Sequence, residues 1–433
     1  MISMIFPILI IGFLIVWAFN EYNKFGISLL FMALIWSMVI YGLAPLALMS
    51  SYNEVASPRF LVNNYDIGSF FPFFVSIIFF ISMYIGSIIA RSVSYKIYLE
   101  STLFEVRKVT IVLFLIGFFC LSFFIYAYGG LDYVLSNMSQ IRSGVDDNKN
   151  YLAAFLNSFS KYINFSFFIV FALFLLRESK SKYDVLLLLV TGSFTFFSVY
   201  LSAGREAGIA LLIALMVIYI SIYKKVPILI ATLFLTISIF YILFAKTFLF
   251  ALNNENFDRN AFMEDNFSET IFSSYNIIVS EFSHQYLSLV NFMQRDFDFR
   301  FFGDYAYWVF KPFKLLGVDI PDSISYYNTY NIYGVWDSEI PPGAIAFGYI
   351  QFGIVGVIIH GLILGVFFKF FDIIFDAKNQ KNPILLAFYA VTVTSFTYML
   401  SNSDPALFLQ NRIPNILFFI VLFVFFKVRL VKR

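Results

Sequence analysis

Apolar residues run along this chain in long continuous stretches, broken by short polar connections. "IVLFLIGFFCLSFFIYAY" (111–128) shows neither the two-residue alternation of a barrel strand nor the single greasy stripe of a soluble helix. A helix needs about 20 apolar residues to cross the hydrocarbon core of a bilayer. That length predicts spans near 3–19, 26–48, 67–90, 109–128, 162–176, 184–203, 207–222, 226–250, 343–368, 383–401 and 414–426. The expected fold is an all-α polytopic membrane protein of about 11 transmembrane helices. Residues 1–19 lack a basic leader and a small-residue cleavage site, so they read as a retained first span rather than a signal peptide.

Polar residues depart from this pattern at one long insert, which divides the chain into a bundle of eight spans (1–250), the insert (251–342) and three last spans with a basic tail (343–433). The insert holds nearly half of the 27 acidic residues and is rich in aromatics. A structureless loop of such length is improbable on physical grounds. Within it, "ETIFSSYNIIVSEFSHQYLSLVNFM" (269–293) has apolar residues at helical spacing, which predicts amphipathic helices lying over the bundle.

Composition agrees: 60% of the 433 residues are hydrophobic and 13% charged, where a soluble domain has roughly 25% charged. The single cysteine, Cys120, excludes an intramolecular disulfide framework. Basic residues cluster in alternate connections: Lys24; Arg91, Lys96, Arg107 and Lys108; Arg177, Lys180 and Lys182; Lys224 and Lys225; Lys369, Lys378 and Lys381; and the tail from Lys427 to Arg433. These are most of the 29 Lys and Arg, and such loops face the cytoplasm. The expected topology therefore has the N-terminus outside and the C-terminus inside, with the insert and the turn "SAGREAG" (202–208) external. Lys246 is the one obvious charge within an expected span.

Several kinds of chemistry are missing from the sequence. It has no phosphate-binding glycine loop, no HExxH and no CxxC, and its two histidines, His284 and His360, lie far apart. A histidine metal cluster is excluded, and no metal or cofactor is expected. What remains is a set of external arginines: Arg59, Arg142, Arg205, Arg259, Arg295, Arg300 and Arg412. Arginine keeps its charge at any relevant pH, and its planar fork suits phosphate or carboxylate oxygens. Each can equally snorkel to headgroups or pair with a local acid. Arg205 stands out because its turn is too short to be a solvated loop and Gly204 and Gly208 flank it. Glu206 reads either as a catalytic carboxylate or as a counter-charge at a helix N-terminus.

"DFDF" (296–299) contains an Asp-x-Asp pattern, which an acidic insert also produces by chance. His284 titrates near neutrality and can serve as a base or as a polar helix edge. His360, among Gly356, Gly361 and Gly365, reads as a buried, hydrogen-bonded core residue. Aromatics interleaved with Asn328, Thr329, Asn331 and Asp337 suit a sugar-lined surface or an interfacial belt. Glu339, where the insert returns to the membrane, is a further candidate base.

Two stretches carry a resemblance. "LSAGREAG" resembles the Ser-x-x-Arg turn of Wzy-type polymerases, which join O-antigen or capsule repeat units. "EIPPGAIAFGYIQFGIVGVIIHG" (339–361), with Phe352, Gly353 and Gly356, is similar to that family's Pro- and Gly-rich segment after the large loop. The resemblance implies a bundle like those of GT-C membrane glycosyltransferases, in the bacterial cytoplasmic membrane. It implies metal-independent inverting transfer between undecaprenyl-pyrophosphate-linked oligosaccharides, with a polysaccharide chain-length regulator as a candidate partner and no nucleic acid. Arg205 then corresponds to the functional arginine of the turn. Arg295, Arg300, Arg412 and Arg59 are expected to hold pyrophosphate or substrate, and Glu339, Glu206 and His284 are candidate bases. An O-antigen ligase differs only in acceptor, and its family uses an external histidine in the large loop. A flippase or secondary transporter is the alternative from another class, expected to show inverted repeats and midplane charges.

Overall fold

The computed structural model describes residues 2–50, 66–143, 150–179, 181–202, 205–225, 232, 236, 267–310, 322–334, 339–425 and 428–432. Helices α1 (Ile5–Phe25), α2 (Leu29–Ser50), α3 (Phe70–Ala90), α4 (Leu103–Ala127), α5 (Leu131–Ser143), α6 (Leu152–Leu176), α7 (Lys182–Leu201) and α8 (Arg205–Tyr223) form the first part. Then come α9 (Phe267–Gln294), α10 (Gly303–Phe310), α11 (Ile324–Tyr333), α12 (Ala344–Phe375), α13 (Pro383–Asn402) and α14 (Pro405–Phe425). Among the described residues, eight helices are long and apolar enough to cross a membrane: α1–α4, α6, α7, α12 and α13. Shorter apolar stretches occupy α8 and α14. The protein is an all-α membrane protein, and the expected span at 226–250 lies outside the described residues.

Both sides of these helices are apolar, as lipid requires. Helix α3 buries Phe73, Val75, Phe79, Phe80 and Met83 while exposing Phe70, Ile81, Ile85 and Ile89. Where helices meet tightly the residues are small. A Cβ at Gly86 would lie 2.3 Å from the Leu362 carbonyl oxygen, and one at Gly365 would lie 2.0 Å from that of Met83. These glycines let α3 and α12 run backbone against backbone.

One end of the bundle collects the basic connections. There Tyr95–Tyr98 (β1) pairs antiparallel with Arg429–Lys432 (β2), Tyr95 opposite Lys432. At this end Asp184 takes Arg107 and Arg177, each at 2.7 Å. Buried Glu21 takes both Arg91, at 3.1 Å, and Lys369. Asp372 accepts the N–H groups of Leu29 and Leu30 at 2.8 and 3.0 Å and the Tyr389 hydroxyl at 2.6 Å. These pairs correct the expectation that charge is scarce inside the spans. Helix α12 continues past residue 368, so Lys369 and Asp372 are buried within it. Lys246 lies outside the described residues.

The insert also departs from expectation. Helix α9 covers the predicted segment, but its second half is buried in the bundle instead of lying over it. Tyr286, Leu287, Leu289 and Val290 share one core with α1, α2 and α3. Among its polar positions there, Ser288 donates to the His284 carbonyl at 2.7 Å and accepts from Asn328 at 3.0 Å, so burying that hydroxyl leaves it paired.

Helix α12 is not one rod. Phe352 (φ −161°, ψ 43°) and Gly353 (φ 58°, ψ −144°) leave the helical region. Eight residues of continuous helix span about 12 Å. Yet a Cβ at Gly356 would lie 2.1 Å from the Gly348 carbonyl oxygen. Residues 344–351 therefore fold back as a half-helix along the span that begins at 354. Glycine at 353 permits the left-handed backbone of the reversal, and glycines at 348 and 356 permit the contact. The single span expected at 343–368 is in fact this half-helix plus a full crossing.

Candidate functional site

The half-helix stands at the end opposite the β1–β2 pair, and polar residues gather around it. The Ile345 N–H at its start donates to the Tyr41 hydroxyl at 3.3 Å, midway along α2. Its last carbonyls, orphaned by the break, need donors. The extended segment before α10 supplies them: Arg300 N–H reaches the Ile350 carbonyl at 3.2 Å and Phe301 N–H that of Gln351 at 2.9 Å. The turn that follows places Phe301 and Phe302 at φ 48° and 58°. Such left-handed conformations cost bulky residues about 1–3 kcal/mol each and persist only where surrounding contacts enforce them.

Arg300 is the hub. Its guanidinium grips Asp304 at 2.7 and 2.8 Å and donates to the Asp322 carbonyl at 2.9 Å. It also lies 5.0 Å from the centre of the Tyr327 ring. Gln351 donates to the same Asp304 carboxylate at 2.7 Å. Burial pushes the guanidinium down, but the hydrogen bonds and charge of Asp304 outweigh it and hold Arg300 above its ordinary value.

Tyr305, one residue on, meets His360 Nδ1 at 3.1 Å. Burial and the neighbouring Asp304 charge push the Tyr305 hydroxyl well up, so it stays protonated. Asp404, in the turn between α13 and α14, accepts the Ser325 hydroxyl at 2.6 Å and caps α14 through Ala406 N–H at 2.9 Å. Buried Asn328 donates to the Ile340 carbonyl at 2.8 Å.

This polar seam is only partly satisfied internally. Gln285 Oε1, Asn328 Oδ1, Gln351 Oε1, His360 Nε2 and both side-chain polar atoms of Asn291 are buried without hydrogen bonds. Each such group costs roughly 1–3 kcal/mol. Native proteins carry few of them, and half of those among the described residues lie on α9, α11 and α12. The seam offers amide and imidazole donors and acceptors suited to hydroxyl-rich or amide-bearing ligands.

The expected residues fall as follows. Arg205 and Glu206 open α8, which packs along α13. The side chains of Arg205, Glu206 and Arg142 lie outside the described residues, as do Arg59 and Arg259 entirely. Arg295 is exposed and donates to the Asn331 carbonyl at 2.6 Å. Arg412 is half-buried on α14 with its guanidinium 5.5 Å from the centre of the Tyr398 ring. Glu339 is exposed and hydrogen-bonded to Tyr326, whose hydroxyl burial and the Glu339 charge push up. His284 is half-buried on α9. Arg300 departs most from its expected role, because its fork is committed to Asp304 and clamps the half-helix. His360 is buried and hydrogen-bonded, as read from its glycine neighbours. Sequence reasoning passed over Asp304, Gln351 and Asp404. A lone glutamine in the apolar run "YIQFGIVG" is the signal that marks the site. Among the described residues no cluster of His, Cys, Asp and Glu is arranged to hold a metal.

Comparison with known proteins returns no match among family models, curated proteins or solved structures.

Proposed function

We propose that the chain is a membrane glycosyltransferase with a GT-C-like bundle. It elongates undecaprenyl-pyrophosphate-linked oligosaccharides on the outer face of the bacterial cytoplasmic membrane, as O-antigen and capsule polymerases do. The observation that supports this most is the polar seam around the broken α12, at the end opposite the basic connections. It brings amide groups and aromatic rings into the bundle where the headgroup of a lipid-linked sugar in the outer leaflet would lie.

In the proposed reaction an acceptor hydroxyl attacks the anomeric carbon of the donor sugar. The bond from that carbon to the pyrophosphate oxygen breaks, and the pyrophosphate lipid leaves with the bonding electrons. The hydroxyl proton passes to a basic side chain, with the Glu339 carboxylate the first candidate and the Glu206 carboxylate and the His284 imidazole behind it. The leaving charge needs preorganised cations. With Arg300 committed to Asp304, that role falls to Arg205, supported by Arg295 and Arg412. Purified protein given a synthetic lipid-linked repeat unit should build a ladder of longer chains. Arg205→Ala at normal expression should cut the rate on the order of 100-fold. An undiminished ladder from that variant would refute the assignment. Single attachment to lipid A core in place of a ladder would mean a ligase.

A second reading has its own support. Transporters bury charges and break helices; here Glu21, Lys369 and Asp372 are buried at the basic end, about 24 Å along α12 from its break at Phe352–Gly353. Movement of the lipid-linked substrate across vesicles without elongation would favour a flippase.

A further inference from the structure

At the basic end a groove of about 1670 Å³ opens beside the bundle. Its floor is α6, and its walls are α4 and α14. Val109, Leu113, Ile116, Leu417, Phe418 and Val421 line its length. The far end closes where the Tyr162 hydroxyl donates to the Pro414 carbonyl at 2.9 Å and Phe418 packs on the Tyr162 ring. From Tyr162 to Arg177 the floor rises about 22 Å. Half of the hydrocarbon core is about 15 Å, so the groove accommodates acyl chains of one leaflet.

Its mouth has the opposite character. Lys96 on β1, Lys108 on α4, Lys381 before α13 and Arg429 on β2 all line it. Among the described residues none of the four joins a side-chain ion pair, unlike Arg107 and Arg177, which share Asp184. Two of the three acids at the mouth are engaged. Glu105 takes the Thr102 N–H at 2.7 Å, and Asp376 takes the Asn379 amide at 3.0 Å. Glu100 is the third. Those bonds come from neutral donors and leave the carboxylates charged, so the four cations exceed the three acids by one around the opening of an apolar slot.

We infer that this groove binds an anionic glycerophospholipid of the basic-side leaflet. The acyl chains lie between α4 and α14, and the phosphate sits among Lys96, Lys108, Lys381 and Arg429. The inference is independent of the sugar-transfer reading, because the seam and the groove lie at opposite ends.

The test uses the full-length protein in neutral detergent, with retained lipid counted by native mass spectrometry. The probes are phosphatidylglycerol, phosphatidylcholine and inorganic phosphate. The wild type should retain phosphatidylglycerol over phosphatidylcholine, and phosphate should not displace it. The variant K96Q/K108Q/K381Q/R429Q should lose phosphatidylglycerol retention by at least about tenfold, in line with the attraction of each base to anionic headgroups. A second variant, I116W/V421W, fills the slot at two lipid-facing positions and keeps every charge; it too should lose the lipid. Equal retention of the two lipids by the wild type would overturn the proposal. So would full displacement by phosphate, which identifies a free-anion site, or full retention by I116W/V421W, which identifies mere surface charge. If the quadruple variant does not fold, the slot-filling variant decides alone.

Discussion

One added methyl group tests whether the half-helix of α12 is held by contact between backbones. In Gly356→Ala the new Cβ would lie 2.1 Å from the Gly348 carbonyl oxygen. Carbon–oxygen contacts settle near 3.3 Å, so the two arms must part by about 1.2 Å. The obstacle is backbone with no rotamer to yield, and overpacking of this kind costs up to about 3 kcal/mol. Parting the arms also pulls Gln351 from Asp304 and the Ile350 and Gln351 carbonyls from their donors. The loss should appear as earlier thermal unfolding of the purified protein in detergent. Amide hydrogen exchange should quicken across 344–351 while α6 and α7 stay protected. Gly12→Ala is the matched control, since nothing lies within 4 Å of its added Cβ. If Gly356→Ala matched that control in both measurements, the folded-back geometry would be wrong.

Further outcomes follow from the buried charges and caps. Arg300→Met strands an Asp304 carboxylate that is 4% exposed, and should cost about 3–5 kcal/mol by thermal or denaturant unfolding. Arg300→Met/Asp304→Asn should recover at least half of that loss, and no recovery would mean the pair acts through something other than charge. At the basic end, Glu21→Leu strands fully buried Lys369 and should destabilise by about 3–5 kcal/mol in the same unfolding measurement. Arg91→Leu leaves Glu21 paired with Lys369 and, with Arg91 39% exposed, should cost well under half as much. Asn382→Ala removes the cap on Ile384 and Leu385 N–H and the tie to the Leu99 carbonyl, so about 2 kcal/mol should disappear from the unfolding free energy.

How far the fold could be read from the residues depended on the solvent each segment faces. Lipid-facing helices announce themselves by length and hydropathy, and so eight of the eleven expected spans coincide with described helices long and apolar enough to cross a membrane. Helix limits were harder, because a buried ion pair looks like the edge of a loop. Lys369 and Asp372 read as loop residues until Glu21 and Tyr389 are seen beside them. The reversal at Phe352–Gly353 was half legible. Its glycines were visible as a motif, but a glycine marks close approach without saying whose backbone approaches. Arg300 shows the same limit for the site. Its residue type announces anion binding, and only the fold reveals that the anion is Asp304. Helix α9 was found by period and misplaced by depth, since a hydrogen-bonded serine such as Ser288 buries more readily than its polarity suggests.

The strand pair β1–β2 has a temporal meaning as well. Tyr95 faces Lys432, so the pairing closes a loop of more than three hundred residues. It forms only after α14 has been inserted and residues 429–432 have been synthesised. The entropy of closing so large a loop grows only logarithmically, and the bundle, once assembled, holds the two strands near each other. The pair therefore ties a segment made late in synthesis to one made early. Because Lys96 and Arg429 sit on its two strands, a chain halted short of β2 would lack one side of the mouth below α4 and α14.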